Sequence, residues 1–236
     1  MTDFSARVVL ITGAGGNLGR ATADAFAEAG AMLALIDRHP EELCDTFASA
    51  PADRLFITSA DLTDADSVAQ MVDAVLQHYG QIDAVANTVG GYRAGTPVHE
   101  TALDTWDFML NLNARSAFIL GRAVVPSMLD CGTGKIINVA ARAALEGTAK
   151  HAAYTASKSA VVRLTESMAA ELRHKGINVN CVLPGTIDTP QNREAVPNAD
   201  HSRWVSPESI AHVIRFLASD EASAINGAAI PVYGRS

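Results

Sequence analysis

Short runs of consecutive apolar residues alternate along the chain with longer segments whose apolar residues recur at helical spacing. Residues 7–11 contain four consecutive aliphatic side chains, a pattern typical of a strand buried on both faces. Residues 18–29 are rich in alanine with apolar residues at helical spacing, and Gly30 follows, a favoured residue at a helix end. Residues 32–36 then predict a second strand.

The same alternation predicts the rest of the chain. Further helices are predicted at residues 40–49, 64–79, about 103–128, 152–174 and after Pro207, and further strands at 54–58, 82–86, 135–139, 177–183 and 229–232. Strands that alternate with long helices imply a parallel sheet with helices on both faces. The predicted fold is a single-domain α/β protein, residues 1–236, with a Rossmann-type doubly wound sheet in three αβα layers. Ligands of such sheets bind beyond the carboxyl ends of the strands.

Composition and charge narrow the classes of partner. The 236 residues are 48% hydrophobic and 19% charged, and the net charge of -8 argues against nucleic acid or an anionic membrane as partner. The sequence has no 18-residue apolar span and no signal-peptide pattern at its start, so a cytoplasmic protein with a small-molecule ligand is expected. Cys44, Cys131 and Cys181 lack metal-ligand spacing, so no metal site is predicted and the thiols are expected in the core.

A glycine-rich loop, residues 12–19, separates the first predicted strand from the first predicted helix. Backbone amides and the positive helix end can hold a pyrophosphate there, and glycine lets the backbone approach it closely. Without the flanking strand and helix, the same glycines would be only a flexible turn. The loop therefore predicts dinucleotide binding, by Gly13, Gly16, Asn17, Leu18 and Gly19.

Two acidic residues follow predicted strands. Asp37 lies 18 positions after Gly19, about the spacing at which a carboxylate meets the adenosine ribose hydroxyls. A carboxylate repels a 2′-phosphate, so NAD(H) is preferred, although Arg38 could offset the charge and NADP(H) is not excluded. The alternative is a turn residue at the strand end. Asp61 and Leu62 could contact the adenine edge, or Asp61 could open the next helix.

Tyr154 and Lys158 are four positions apart, so they share one face of a predicted helix about one turn apart. A free phenol has a pKa near ~10, and proton exchange at neutral pH requires a nearby cation that favours the phenolate. Taken alone, the pair could equally be a solvated helix face with an i,i+4 contact. The other motifs decide between these interpretations.

Two further motifs accompany the glycine loop and this pair. Asn113 lies on the preceding long predicted helix, and Pro184-Gly185-Thr186-Ile187-Asp188-Thr189 follows the sixth predicted strand. With all four motifs, the chain resembles the short-chain dehydrogenase/reductase family over its whole length. The resemblance implies an NAD(H)-dependent oxidoreductase in which Tyr154 gives or takes the proton.

The resemblance also implies roles for single residues. Gly13 and Gly19 would hold the phosphates, and Asn113 would order a water that feeds protons toward Lys158. Lys158 would also hold the nicotinamide ribose. The remaining residues implied at the cofactor are Asn87, Gly90, Tyr154, Pro184, Gly185, Ile187 and Thr189. A homodimer or homotetramer built through the two long helices is implied as well.

The chain departs from the family pattern at a chemically important position. The substrate-orienting serine, thirteen positions before the tyrosine, is Ala141, and an alanine methyl cannot donate a hydrogen bond. Losing one such donor typically costs about 10²–10³ in rate. In the glycine loop, Asn17 replaces the usual middle glycine, which asparagine's tolerance of left-handed backbone makes acceptable.

A narrower resemblance bears on the missing serine. Residues 143–148, 183–193 and 196–204 are similar to the quinonoid dihydropteridine reductase subfamily, which also lacks it. This implies a pterin-like or quinonoid substrate that accepts hydride from NADH. Two alternatives stay open: a secondary-alcohol dehydrogenase in which Thr88, Tyr92 or Thr148 replaces the donor, and an NAD(H)-binding regulatory protein with weak catalysis.

Overall fold

Seven parallel strands form one sheet in the computed structural model, which describes residues 3–47 and 51–235. The strands are β1 (Val8–Thr12), β2 (Met32–Asp37), β3 (Leu55–Ser59), β4 (Ala84–Asn87), β5 (Gly134–Val139), β6 (Ile177–Pro184) and β7 (Ala229–Val232). Their order is β3-β2-β1-β4-β5-β6-β7, so the chain reverses direction across the sheet between β1 and β4. Such a reversal opens a crevice at the carboxyl ends of the strands.

Helices cover both faces of the sheet. They are α1 (Asn17–Glu28), α2 (Glu41–Thr46), α3 (Ala65–Tyr79), α4 (Leu103–Met109), α5 (Ser116–Cys131), α6 (Ala152–Leu172), α7 (Pro190–Ala195) and α8 (Pro207–Leu217). Successive residues of β1 point to opposite faces: Val9 and Ile11 pack with α1 and α8, whereas Val8 and Leu10 pack with α3, α5 and α6. The three-layer α/β fold predicted from the apolar pattern is confirmed.

The largest error of the sequence prediction lies between β4 and β5. The helix predicted as continuous over about residues 103–128 is two helices, α4 and α5, joined by the π-helical segment Leu110–Arg115. Periodicity does not reveal this insertion, because the apolar face continues through it. The π-helical segment carries Asn113, and such segments are frequent at functional sites.

Smaller differences concern element ends. β4 begins at Ala84 rather than at residue 82, and α6 ends at Leu172 rather than at residue 174. Of the helix predicted over residues 40–49, the structure shows Glu41–Thr46, and residues 48 and 49 lie outside the described part. The sequence prediction did not include α7.

Other predictions have separate outcomes. Cys44 and Cys131 are exposed, so the expectation of three core thiols is correct only for Cys181. Within residues 3–47 and 51–235, no helix is long and apolar enough to cross a membrane, and no group of His, Cys, Asp or Glu side chains could hold a metal ion. The homodimer or homotetramer stays a prediction, testable by sedimentation; exposed Phe118 and Leu129 on α5 would suit such an interface.

Candidate active site

The glycine loop turns tightly from β1 into α1. Gly16 occupies the residue before the helix, and its N–H donates to the Gly13 carbonyl at 3.0 Å. A Cβ atom on Gly19 would lie 2.0 Å from the Gly13 carbonyl oxygen, so only glycine permits this turn. The amides at the start of α1 therefore remain close to the crevice, as a pyrophosphate site requires.

Asn17 and Leu18 have different surroundings within this loop. Leu18 is buried in the core beneath the loop. The Asn17 side chain donates to Gln191 Oε1 at 2.9 Å, so the loop after β1 contacts the helix that follows β6. Asn17 thus joins two connections that lie far apart in the sequence.

Asp37 stands at the end of β2, next to the glycine loop. Its carboxylate accepts the Gly15 N–H at 2.9 Å and the His39 N–H at 3.3 Å. These bonds hold the carboxylate at the strand end, where the sequence predicted a ribose contact. The bond from His39 is also what the alternative interpretation, a turn residue at the strand end, would give, and the bond from Gly15 stabilises the glycine loop.

Arg38 is paired with an acid rather than directed at Asp37. Its guanidinium lies 3.3 Å from Asp61 Oδ1, and Asp61 also accepts from the Thr63 hydroxyl at 2.7 Å and the Thr63 N–H at 2.9 Å. The bonds from Thr63, followed by the charge of Arg38, lower the pKa of Asp61. Leu62 is buried, so a contact of Leu62 with adenine would have to come from its backbone.

A chain of buried polar side chains connects the carboxyl ends of three strands with α6. The Thr12 hydroxyl donates to Asn87 Oδ1 at 2.9 Å, and Asn87 Nδ2 donates to Asn138 Oδ1 at 3.1 Å. Asn138 Nδ2 in turn donates to the Thr165 hydroxyl at 3.1 Å. Asn87 therefore ties β1, β4 and β5 together, and its predicted cofactor contact stays a prediction.

Asn113 anchors the loop that follows β4. Its Oδ1 accepts the Gly91 N–H at 2.9 Å, and its Nδ2 donates to the Gly91 carbonyl at 3.1 Å and to the Ser157 hydroxyl at 2.9 Å. Ser157 donates onward to the carbonyl of Tyr154 at 2.8 Å. Asn113 thus fixes both the loop and the helix turn that carries the tyrosine, and the predicted ordered water stays a prediction.

Lys158 is buried at the centre of this arrangement. Its amine donates to the Val139 carbonyl at 2.9 Å, at the end of β5. A Cβ atom on Gly90 would lie 2.8 Å from Lys158 Nζ and 3.0 Å from Asn113 Oδ1, so glycine at position 90 leaves room for both groups. Burial lowers the pKa of Lys158 to about 8. The structure therefore brings Gly90, Asn113 and Lys158 together, and their predicted roles stay predictions.

Tyr154 lies one helical turn before Lys158 on α6. Burial, with a smaller contribution from Tyr92, raises the pKa of its phenol to about 12. Its ring meets the Tyr92 ring edge to face, with centroids 4.9 Å apart. The pKa is thus raised, because burial dominates, whereas a nearby cation that favours the phenolate was expected from the sequence. A phenol of this pKa is fully protonated at neutral pH, which is the form that can give a proton to a substrate oxygen.

The position of the missing serine is occupied by the buried methyl group of Ala141. Of the three side chains considered as replacements, Thr88 donates its proton to the Thr12 carbonyl at 2.6 Å. Thr148 lines a cavity together with Trp106 and Leu145. Tyr92 contacts the Tyr154 ring.

The Tyr92 hydroxyl is itself engaged with His151. His151 Nδ1 lies 2.7 Å from the Ala149 carbonyl, which only accepts, so this nitrogen carries a proton. In the neutral imidazole, Nε2 is then an acceptor, and the Tyr92 hydroxyl 2.9 Å away donates to it. Tyr92 consequently has no second proton for a substrate while His151 is neutral.

The segment after β6 is held by β7 and by the stretch that precedes α8. Pro184 ends the strand, and the Gly185 N–H donates to the Val232 carbonyl at 3.2 Å. Ile187 pairs with Val205, and the Thr189 hydroxyl caps α7 by accepting the Asn192 N–H at 3.2 Å. These residues lie at and beyond the carboxyl end of β6, and their contacts with a nicotinamide stay predictions.

Sequence reasoning missed Ser157 and His151. Ser157 lies within the Tyr154–Lys158 motif, three positions after the tyrosine, so helical spacing could have indicated that it faces the same region. His151 pairs with Tyr92 across 59 positions of sequence, and no local pattern indicates this contact.

Comparison with known proteins agrees with this geometry. The sequence pattern of the short chain dehydrogenases matches residues 7–200. The 3-oxoacyl-(acyl-carrier-protein) reductase of Thermotoga maritima is 34% identical over 97% of this chain and 96% of its own length. The D-threitol dehydrogenase of Mycolicibacterium smegmatis is 36% identical over 97% of this chain and 92% of its own length.

A solved structure extends the likeness to three dimensions. The structure of NAD+-bound xylitol dehydrogenase has a TM-score of 0.89 and 31% identity, covering 98% of this chain and 99% of that chain. These relatives act on alcohols or oxoacyl groups by name, and none of the three is a dihydropteridine reductase. The narrower resemblance to that subfamily therefore gains no support from them. The chain belongs to the short-chain dehydrogenase/reductase family of oxidoreductases.

Proposed function

We propose that the chain interconverts a carbonyl compound and an alcohol with NAD(H), and that Tyr154 exchanges the proton. One observation carries the proposal: the buried amine of Lys158 lies one helical turn from a protonated phenol, within the polar arrangement that Asn113 anchors. A buried cation beside a phenol has a chemical use, because it stabilises the tyrosinate that forms when the proton leaves.

The residues at the strand ends fit a dinucleotide. The close turn at Gly19 leaves the amides at the start of α1 accessible, and Asp37 stands beside that loop as an acceptor for ribose hydroxyls. Gly13 and Gly16 would lie against the phosphates, and Ile187 and Thr189 would lie toward the nicotinamide. When bound, the nicotinamide supplies hydride to a carbonyl carbon or accepts it from an alcohol carbon.

NAD(H) rather than NADP(H) is the proposed cofactor. The Asp37 carboxylate would repel a 2′-phosphate at the place where it would accept hydrogen bonds from the ribose hydroxyls of NAD(H). Arg38, the nearest cation in sequence, is paired with Asp61 at 3.3 Å rather than left for a phosphate. The relative crystallised with NAD+, xylitol dehydrogenase, is consistent with this preference.

Each residue of the site has a task in carbonyl reduction. The Tyr154 hydroxyl donates its proton to the carbonyl oxygen as hydride reaches the carbon. The Lys158 ammonium stabilises the resulting tyrosinate, and its bond to the Val139 carbonyl holds the amine in place. Asn113, through Ser157, holds the helix turn on which the phenol stands. Alcohol oxidation uses the same groups in reverse.

The substrate classes are distinguished by a turnover assay on a panel. We expect the purified chain to oxidise NADH with at least one ketone, at a kcat/KM at least tenfold above that with NADPH. A freshly prepared quinonoid dihydropterin belongs in the panel. If it were the one compound reduced rapidly, the proposed substrate class would change from a ketone to a pterin. Tight binding of NADH without turnover of any ketone, quinone or pterin would contradict the proposal and favour a regulatory protein.

Restoring the missing donor gives a second test of a ketone substrate. Ala141→Ser places a hydroxyl at the position from which the family polarises a carbonyl, and we expect kcat for ketone reduction to rise about tenfold. Ala140→Ser is the matched control, because Ala140 packs into the core with Val161 and Leu183. An unchanged or lower kcat in a well-folded Ala141→Ser variant would count against a ketone.

A further inference from the structure

A cavity of about 370 Å³ is lined by residues of the loop after β4 and of the turn that leads into α6. Tyr92 lines it and also meets the Tyr154 ring edge to face, and another part of its wall is formed by the three residues that precede Tyr154 in the sequence, His151, Ala152 and Ala153. This volume is within the range of small-molecule sites, ~300–1,000 Å³. Tyr154, the proposed proton donor, is therefore in contact with a residue of the cavity wall.

The charged side chains of the cavity are cationic. Arg93 and Lys150 line it, and no Asp or Glu is among the lining residues. The Arg93 guanidinium lies 3.6 Å from the centroid of the Phe108 ring, a contact through its flat face that leaves the N–H groups at its edge available. In the described part of the chain, no hydrogen bond or ion pair engages the side chain of Arg93 or Lys150.

The backbone at Lys150 is a second, independent observation. Lys150 has φ of 65°, and it is the one residue other than glycine with positive φ in the described ranges. The Gly95 N–H holds this turn by donating to the Lys150 carbonyl at 2.8 Å. Glycine would adopt such a backbone without steric cost. A lysine held in a strained turn at the rim of a cavity indicates that its side chain has a use there.

The absence of the serine explains why the substrate would need a second anchor. With an alanine at position 141, and with the Thr88 and Tyr92 protons committed elsewhere, Tyr154 is left as the donor to the carbonyl oxygen. A carbonyl held by one hydrogen bond can rotate, so a second anchor farther along the substrate is needed to fix the reacting geometry.

We propose that this cavity binds an anionic group, a carboxylate or a phosphate monoester, on the substrate whose carbonyl meets Tyr154. Lys150 and Arg93 are its cationic partners. The assignment rests on the proposed function, since it names the substrate class of the same site. Such a site would discriminate against neutral ketones, because a substrate with a neutral tail would leave the two cations without a partner.

The test compares oxo acids with their methyl esters. We choose 4-oxopentanoate, 5-oxohexanoate and 6-oxoheptanoate. They differ in the length of the chain between carbonyl and carboxylate, and the length that lets the carbonyl meet Tyr154 while the carboxylate occupies the cavity must be found. At one length or more, the wild type is expected to favour the acid by at least tenfold in kcat/KM. Lys150→Asn and Arg93→Gln are each expected to reduce that ratio by about tenfold, the effect of losing a hydrogen bond to a charged group.

Asparagine is the replacement at position 150 because it tolerates left-handed backbone, so the turn is retained while the charge is lost. Lys175→Asn is the matched control. Lys175 lies just before β6, at the opposite end of the strand from the site, and its variant should keep the wild-type ratio. An unchanged ratio in Lys150→Asn would overturn the proposal, as would equal kcat/KM for acid and ester at every length together with no binding of inorganic phosphate.

Calorimetry separates this proposal from the function on which it rests. If no oxo compound is reduced, the proposed function fails, and titration of the protein with glutarate and with inorganic phosphate still tests the cavity. We expect the wild type to bind one of these probes at least tenfold more tightly than Lys150→Asn does. The probe that binds more tightly identifies carboxylate or phosphate as the source, and no binding of either to the wild type overturns the anion site.

Discussion

Tyr154→Phe is expected to lower kcat by about 10³ or more, within the range that general acid catalysis contributes. The variant loses only the hydroxyl that is proposed to give its proton to the substrate. In the structure, that hydroxyl makes no hydrogen bond to any described residue, so its removal should leave the fold intact. Single-turnover oxidation of NADH measures the loss, and fluorescence titration should show NADH binding within about threefold of wild type.

Tyr79→Phe is the matched control for this experiment. Tyr79 is also partly buried with a pKa raised to about 12 by burial, but it stands on α3 and its hydroxyl donates to the Leu33 carbonyl at 3.2 Å. Removing that hydroxyl should leave turnover unchanged. Full activity of Tyr154→Phe would show that the proton comes from another group, and loss of NADH binding would mean that the phenol positions the cofactor.

The sheet was predictable because burial on both faces leaves a clear pattern in the sequence. Val8 to Ile11 are consecutively apolar since alternate residues pack against different helix layers, and a polar residue on either side would lie in a core. The ends of β4 and α6 were less certain because hydrogen bonding, rather than hydrophobicity, decides where a strand or helix stops.

The break between α4 and α5 lies outside what periodicity can show. Met109, Ala117 and Leu120 stay on the buried face although the backbone widens at Leu110–Arg115. The extra residue in that turn carries Asn113 inward to Gly91 and Ser157. A pattern that reports only which positions are apolar does not register such an insertion.

The site was predictable where its residues lie in local motifs. Tyr154 and Lys158 are neighbours on one helix, and the glycine loop is continuous in sequence, so spacing together with the flanking elements indicates where they lie. The pairing of Tyr92 with His151 and the approach of Arg93 and Lys150 to one cavity depend on how the loop after β4 lies against α6. Those contacts cross more than fifty positions of sequence and follow from tertiary packing.

Lys158→Met is expected to lower kcat by about 10²–10³ and to remove a pH dependence that the wild type shows. Burial lowers the pKa of Lys158 to about 8, whereas that of Tyr154 is about 12. As the pH rises through 8, the wild-type amine loses its proton while the phenol keeps its own. The tyrosinate formed in the reaction then has no ammonium beside it, so carbonyl reduction by the wild type should fall above pH 8.

The pH profile distinguishes this role from a structural one. Methionine carries no titrating group, so kcat of the variant should be low and flat from pH 6 to 10, within the range over which both proteins stay folded. Because burial disfavours the charged amine, the variant should melt no lower than the wild type at pH 7. If kcat of Lys158→Met also declined above pH 8, the group that titrates would be another residue. If the loss of activity came with a lower melting temperature, Lys158 would be a structural residue.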